Sequence, residues 1–376
     1  MKHNTPGITS TANTFTAIPK SCANENSVNL VFSTDKNYLN QLGVCLSSLI
    51  TNINPGRYYD ITILYSDLEK SDIDKFLSKI YPICPNNIFV RFYDVTPWLR
   101  KIDLKSLYIE IHVTISSYFR LFIQEIFSNY ERILYLDSDL IINGDLCEIY
   151  DITPSNFEYI AASLDIRENY AYQQNIKIRK TVTWRDYVNS KLGIYDDQTY
   201  FQAGVMLFFL GRMRERRFNL LSTCLKELQR IKTPILSDQD ILNSALKGYV
   251  KFIETSWNLE WQIPFEFPEY KTTMSKNLLA QYTKASRSPK IIHYASSRKP
   301  WNEPDLYLSP VWWKYARSSL FYNNFIKNEI ANLPLKDIED IAHLILSRLL
   351  THLKYKILSR IGIKKKHYDT KLKNIK

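Results

Sequence analysis

Two carboxylates spaced one residue apart, Asp137 and Asp139, follow the apolar run in Arg132-Ile-Leu-Tyr-Leu-Asp-Ser-Asp-Leu-Ile-Ile142. An i, i+2 pair on an extended backbone projects to one face, so both can hold one divalent ion, directly or through ribose or water. In an open α/β sheet, ligands bind in the crevice beyond the carboxyl ends of the strands, which is where such a pair would stand. A calcium loop is excluded: it needs Asp or Asn at the fifth position and Gly at the sixth, where this chain has Ile141 and Ile142. Taken alone, the pair could also do no more than mark a strand-to-loop exit.

The elements that must position the pair alternate in type. The patterning predicts strands over 28–33, 61–65, 88–93 and 132–136, with helices over 39–50, 69–80 and 117–127 between them. Alternating elements imply an α/β fold with a largely parallel sheet and helices on both faces. A nucleotide is the default ligand of such a sheet. The chain has nine glycines and no two stand at i, i+2, so neither a dinucleotide fingerprint nor a P-loop can be written. Phosphate has to be met by a metal and a few cations instead, which directs attention back to Asp137 and Asp139.

Composition narrows the classes further. At 376 residues and 45% hydrophobic, the chain is long enough for one large core with an appendage. Five scattered cysteines without a Cys-x-x-Cys spacing indicate neither a disulfide framework nor a zinc site, and point to a reducing, cytosolic compartment. Residues 1–27 read as a poorly ordered polar leader, and no apolar run approaches bilayer length. Of the net charge of +11, +9 falls in residues 341–376, which hold ten Lys or Arg against Asp369. There Ile338, Ile341, Ile345, Leu349 and Leu353 recur at helical spacing, and Lys364, Lys365 and Lys366 follow. This has the form of a basic amphipathic segment for an anionic membrane surface. A helix packed on its own domain is the alternative. No nucleic-acid fold surrounds the lysines, so nucleic acid is not expected as a partner. Trp312, Trp313, Tyr315, Phe321 and Tyr322 read as core packing of a C-terminal helical region rather than as a ligand platform.

Six polar-tipped segments carry the strongest signal: Val31-Phe-Ser-Thr-Asp-Lys-Asn-Tyr38, Ser116-Ser-Tyr-Phe-Arg120, the Asp137 motif, Tyr200-Phe-Gln-Ala-Gly-Val-Met-Leu-Phe-Phe-Leu210, Leu236-Ser-Asp-Gln-Asp-Ile-Leu-Asn243 and Ile291-Ile-His-Tyr-Ala-Ser-Ser-Arg-Lys-Pro-Trp301. In order and spacing they resemble the family 8 retaining glycosyltransferases, especially bacterial enzymes that add galactose or glucose to lipopolysaccharide. The resemblance covers roughly residues 28–305 and implies a GT-A nucleotide-sugar-binding fold, with residues 306–376 left as a helical, membrane-associating tail. It implies that Phe32, Ser33, Asp35 and Asn37 hold uridine and that Arg120 reaches the donor. Asp137, Asp139 and His293 would bind Mn2+ or Mg2+ across the diphosphate of a UDP-hexose, with Ser138 between the carboxylates and Lys299 on the diphosphate. Asp165, Gln202, Ala203, Asp238 and Gln239 would surround the transferred sugar.

The residues read by themselves leave plainer roles open. Arg120 could be a surface ion pair, Lys299 a solvated loop cation, Asp165 a turn cap, and Asp238 a helix N-cap with Asp240 in the first turn. The family's pattern usually has Asn where Gln202 stands, and often Gly where Ser296 stands; Gly there would let the backbone approach phosphate closely. The expectation is therefore a metal-dependent enzyme that moves galactose or glucose from a UDP-sugar to a lipid-linked or lipopolysaccharide oligosaccharide at the inner face of the cytoplasmic membrane. Gln239 is a poor nucleophile, so front-side attack is favoured over a covalent intermediate. The competing expectations are a phosphohydrolase of the haloacid-dehalogenase type, with Asp137 as nucleophile and Asp139 as general acid, and a non-catalytic glycan-binding protein.

Overall fold

A computed structural model describes residues 26–102, 114–155, 157–196 and 198–332, together with 346, 347, 349, 350 and 353. The main sheet is built on β1 (Ser27–Ser33), β2 (Tyr58–Tyr65), β3 (Ile88–Asp94) and β4 (Ile133–Leu136). β5 (Leu140–Ile142) leaves it, β6 (Ile160–Leu164) rejoins it, and β7 (Lys177–Arg179) and β8 (Val182–Thr183) form a separate hairpin. β9 (Phe201–Phe208) and β10 (Val250–Ile253) complete seven strands in the order β10-β6-β9-β4-β1-β2-β3. A second, three-stranded sheet runs β11-β12-β5, with β11 at Leu259–Glu260 and β12 at Ile291–His293.

The β1–β4 half of the main sheet is parallel, as the alternation predicts. β1 and β4 are buried almost throughout, the pattern of strands covered on both faces. β9 departs from this. It is inserted antiparallel to both β4 and β6, and every one of its residues is buried. The predicted helix over 117–127 is also corrected. Residues Ile115–Phe122 form a 3-10 helix, and only Ile123–Ile126 are α-helical. Tyr118 to Ile123 are all buried, so no amphipathic stripe selects the α period, and the Arg120 side chain bonds back to the carbonyl of Ser117.

Strand register delivers the chemistry. The β4–β9 ladder is extended by one bond, Asp137 N–H to the Gly204 carbonyl at 2.9 Å, which fixes the first carboxylate at the end of β4. The chain then crosses to the small sheet through Ser138 and Asp139. There β5 pairs with β12 so that His293 stands opposite Leu140, and Tyr294 N–H bonds the Asp139 carbonyl at 3.1 Å. Sequence positions more than 150 residues apart thus become neighbours by register.

Residues 1–25 of the expected leader lie outside the described residues, while Ser27 already pairs with Tyr58 in β1. The helix Ser309–Ser318 packs on the helix Leu39–Thr51, with Trp312 fully buried and Asn52 donating to the Tyr315 hydroxyl at 3.1 Å. Of the aromatic cluster, Trp312, Tyr315 and Phe321 are buried, and Trp313 and Tyr322 are half-buried. One compact unit runs to Tyr322, and Asn323–Lys376 form a second. In the second, Leu346, Leu349, Leu350 and Leu353 are each more than half exposed. Ile338, Ile341, Ile345 and the lysine run lie outside the described residues. Among the described residues, no helix is long and apolar enough to cross a membrane.

Candidate active site

The carboxyl ends of β1 and β4 and the amino end of β9 open into a cavity of about 480 Å³, within the range of small-molecule sites. Ser33, Asp35, Arg120, Asp137, Ser138, Asp139, Asp165, Gln202, Asp238, Gln239, His293 and Lys299 all line it. Phe32, Asn37 and Ala203 are not on its wall: Phe32 is fully buried in β1, and Ala203 presents its backbone to Gln239 and Arg120. Asp35 caps the short turn Lys36–Tyr38 through the Asn37 and Tyr38 amides.

Asp137, Asp139 and His293 offer ligand atoms within 4.8 Å of one another. Whether they suit a cation turns on the imidazole. Gln202 Oε1 accepts from the Gly204 N–H and from Asn258 Nδ2, the latter at 2.7 Å, which fixes the Asn258 amide with Oδ1 towards His293. That oxygen lies 3.0 Å from His293 Nδ1 and can only accept, so Nδ1 carries the proton. Nε2 is left with its lone pair 3.3 Å from Asp139 and 3.8 Å from Asp137. One lone pair and two carboxylates facing a common point form a donor set that calls for a cation, and the Nδ1 contact is the outer-shell bond characteristic of a ligating histidine. The site also depends on Gly204 lacking a side chain, because a Cβ there would stand 2.4 Å from His293 Cε1 and 2.9 Å from Asp137 Oδ2.

Positive charge flanks the pair. Lys299, buried rather than solvated, donates to Asp139 at 2.6 Å and to the Tyr294 carbonyl at 2.7 Å. Burial would raise the Asp139 pKa, but the Lys299 ammonium bonded to it outweighs that and holds the carboxyl well below its usual range. Arg120 is a buried clamp, not a surface ion pair. Its guanidinium lies 2.8 Å from Asp238 and 3.3 Å from Asp137, over the face of the Tyr135 ring, whose hydroxyl donates to Asp137 at 2.7 Å. Burial, opposed by Arg120 and reinforced by Asp137, pushes Asp238 up to about 6.

Asp238 lies in the first turn of the helix Ser237–Ala245 and is not its N-cap; Asp240 takes the Leu236 amide and two tyrosine hydroxyls instead. Asp165 does cap a helix, accepting from the Glu168 amide at 2.8 Å, and its other oxygen accepts from Gln239 Nε2 at 2.9 Å. Gln239 Oε1 takes the Ala203 amide, so both ends of that side chain are engaged. Behind Asp165 stand Glu168, Glu260 and Gln262, which sequence reading did not single out. Gln262 donates to Glu260 at 3.2 Å, while its own buried Oε1 has no partner and can receive a hydroxyl. Asn258, Tyr135 and Gly204 were likewise missed as site residues; Gly204, inside the Gln202-Ala-Gly segment, and Tyr135, inside the Asp137 motif, each left a trace. At Ser296, on the cavity wall, φ is +90°, a conformation that favours the glycine common in the resembling family.

A model of glycosyl transferase family 8 matches residues 29–305. The lipopolysaccharide 1,2-glucosyltransferase of Escherichia coli (strain K12) is 25% identical over 77% of this chain and 77% of its own length. The lipopolysaccharide 1,3-galactosyltransferase of Salmonella typhimurium is 23% identical over 77% and 78%. Among solved structures, the galactosyltransferase LgtC, determined with donor and acceptor sugar analogues, superposes with a TM-score of 0.62 at 23% identity, covering 78% of this chain and 96% of that one. The bifunctional glycosyltransferase WbbM superposes with a TM-score of 0.70 at 23% identity; it covers 81% of this chain, which spans about half (52%) of WbbM. These neighbours share the GT-A fold.

The hydrogen-bond chain behind His293 makes a prediction. Replacing Asn258 with Ala should weaken Mn2+ binding about 10- to 100-fold, as loss of an outer-shell partner does, with little change in the circular dichroism spectrum. Mn2+ titration followed by electron paramagnetic resonance checks it; wild-type affinity in the variant would show that the relay does not orient the imidazole.

Proposed function

This chain belongs to glycosyltransferase family 8, and from that premise we propose that it moves galactose or glucose from a UDP-sugar to a cell-surface glycan, lipopolysaccharide core oligosaccharide in particular, with retention at the anomeric carbon. The observation that carries this reading is the Asp137, Asp139 and His293 donor set with its imidazole orientation fixed, beside a buried lysine, at the mouth of β4. Those three residues would hold Mn2+ or Mg2+, which supplies Lewis-acid stabilisation of the departing diphosphate. Lys299 adds a cation on the same wall, and Ser33, Asp35 and Tyr38 offer the polar surface for uridine and ribose. Gln262 Oε1, together with Asp165 and Gln239, presents hydrogen-bonding groups to sugar hydroxyls.

Transfer breaks the bond from the anomeric carbon to the diphosphate oxygen and forms one to the acceptor oxygen, whose proton goes to the departing phosphate. A covalent route would need a free nucleophile on the opposite face of the sugar. Gln239 is a neutral amide engaged at both ends, and the Asp238 carboxylate is held by Arg120. Front-side attack requires neither. Family membership sets aside the phosphohydrolase alternative, and Asp137 would make a poor nucleophile with Tyr135 and Arg120 on one of its oxygens.

The tail would place the enzyme at an anionic membrane, the inner face of the cytoplasmic membrane in this reading. Its described leucines are exposed, and the surrounding residues carry most of the chain's excess positive charge.

Release of free UDP from a panel of UDP-sugars tests the activity. One UDP-hexose should be hydrolysed slowly with Mn2+ or Mg2+, not with chelator, and not by the Asp137→Ala, Asp139→Ala variant. Absence of both hydrolysis and metal-dependent UDP binding would remove the reading. Asp238→Asn should lower turnover without accumulating an adduct, and the loss of activity below about pH 6, where the wild-type carboxyl takes up its proton, should disappear in that variant. A glycosyl-Asp238 adduct would contradict front-side transfer. Deleting residues 341–376 should abolish salt-sensitive binding to phosphatidylserine vesicles while leaving UDP binding intact, and unchanged vesicle binding would reject the tail's role.

A further inference from the structure

A second cleft, of about 370 Å³, adjoins the reaction cavity and shares none of its lining residues. Its floor is Trp261, almost fully buried, with Nε1 donating to the Ala295 carbonyl at 3.2 Å. Phe265, 56% exposed, and Tyr307, 47% exposed, both line it. Single exposed rings are ordinary on a protein surface. Two open rings lining one cleft with a buried tryptophan are not scattered, and they are accompanied by groups that can read hydroxyls. The Arg298 guanidinium lies 4.0 Å from the Phe265 ring centroid and is bonded to Glu303 at 2.8 Å, with Asp305 beside them.

The two hollows share a wall. Trp261, Phe265 and Arg298 line the second cleft, while their immediate chain neighbours Gln262, Glu266 and Ser297 line the reaction cavity. Ala295, which lines that cavity, also holds the Trp261 indole. The segment bearing Tyr307 is pinned by the Tyr294 hydroxyl, which donates to the Leu308 carbonyl at 2.8 Å, next to His293. The cleft is therefore built onto the same strand and loop that carry a ligand of the metal triad.

We propose that this cleft binds the sugar residues of the acceptor oligosaccharide beyond the one that is glycosylated. A pyranose has an apolar C–H face and a hydroxyl-bearing edge. Aromatic rings match the first, and the fork of an arginine and the oxygens of carboxylates match the second through directed hydrogen bonds. The inference rests on the transferase reading for the identity of the ligand, and on the cleft's own geometry for its location. Phe265 and Tyr307 would supply the stacking surfaces, with Arg298, Glu303 and Asp305 fixing which hydroxyls fit. Because the cleft adjoins the cavity without lining it, it sets which glycan is accepted and does not touch the transferred sugar.

The test measures binding of a delipidated lipopolysaccharide core oligosaccharide to the full chain by saturation-transfer NMR, with free galactose and glucose as short probes. Wild type should bind the oligosaccharide more tightly than either monosaccharide. Phe265→Ala and Tyr307→Ala should each weaken oligosaccharide binding about three- to tenfold, and Phe265→Trp should retain it. UDP-hexose hydrolysis and metal-dependent UDP binding should be unchanged in all three variants. Equal oligosaccharide affinity in wild type and both alanine variants, or no oligosaccharide binding by wild type, would overturn the proposal. If the rings govern binding but no UDP-sugar is ever turned over, the cleft stands and the transferase reading fails; if transfer occurs and the variants bind normally, the reverse holds.

Discussion

Two carboxylates confined within 4.8 Å of each other at the end of a buried strand cannot be left uncompensated. At an effective dielectric of about 20 their repulsion is about 3 kcal/mol, a large fraction of a domain's net stability. The surrounding structure answers that constraint. Lys299 sits on Asp139, Arg120 and the Tyr135 hydroxyl sit on Asp137, and the His293 lone pair completes a set that a divalent cation would satisfy. Breaking any of these contacts would leave buried charge exposed to its like neighbour, so the motif and its supports form one unit.

The supports come from three different parts of the fold. Arg120 is carried on a 3-10 turn before β4, Gly204 and Gln202 on β9, and His293 on β12 of the smaller sheet. The relay from the Gly204 amide through Gln202 and Asn258 to the imidazole ties the two sheets together at the point where chemistry is expected. It also gives Gln202 a structural role beside the sugar contact expected of it. Its oxygen serves the relay while the side chain borders the cavity. Some backbone strain falls at the same place: Ser237 and Ser296, both on the cavity wall, have positive φ and sit at the edges of the segments that hold Asp238 and His293.

Much of this was legible in the chain because local signals and global fold agree. The βαβ opening, the strand ending at Leu136 and the paired carboxylates are written in short-range patterning, and the six segments identify the family. What was not legible depends on register between distant strands. The largely apolar Phe201–Phe208 run does not reveal its direction, so the antiparallel insertion of β9 had no local signature. Asn258 is one asparagine after a short turn, and its importance arises only when β11 pairs with β12. Asp238 is not the N-cap, because Leu236 stands there, and the Leu236 amide and two buried tyrosine hydroxyls converge on Asp240. Trp261 and Phe265 lie in a stretch without any recognisable motif, and their cleft forms only when the loop after His293 folds over them.

The account stands or falls on the donor set at Asp137, and a crystal structure of the full chain with Mn2+ and UDP tests it most directly. It predicts one Mn2+ bonded to both carboxylates and to His293 Nε2, with the diphosphate on the same ion and Asn258 Oδ1 still on Nδ1. A diphosphate held elsewhere in the cavity, or a Mn2+ that leaves His293 unbound, would contradict it.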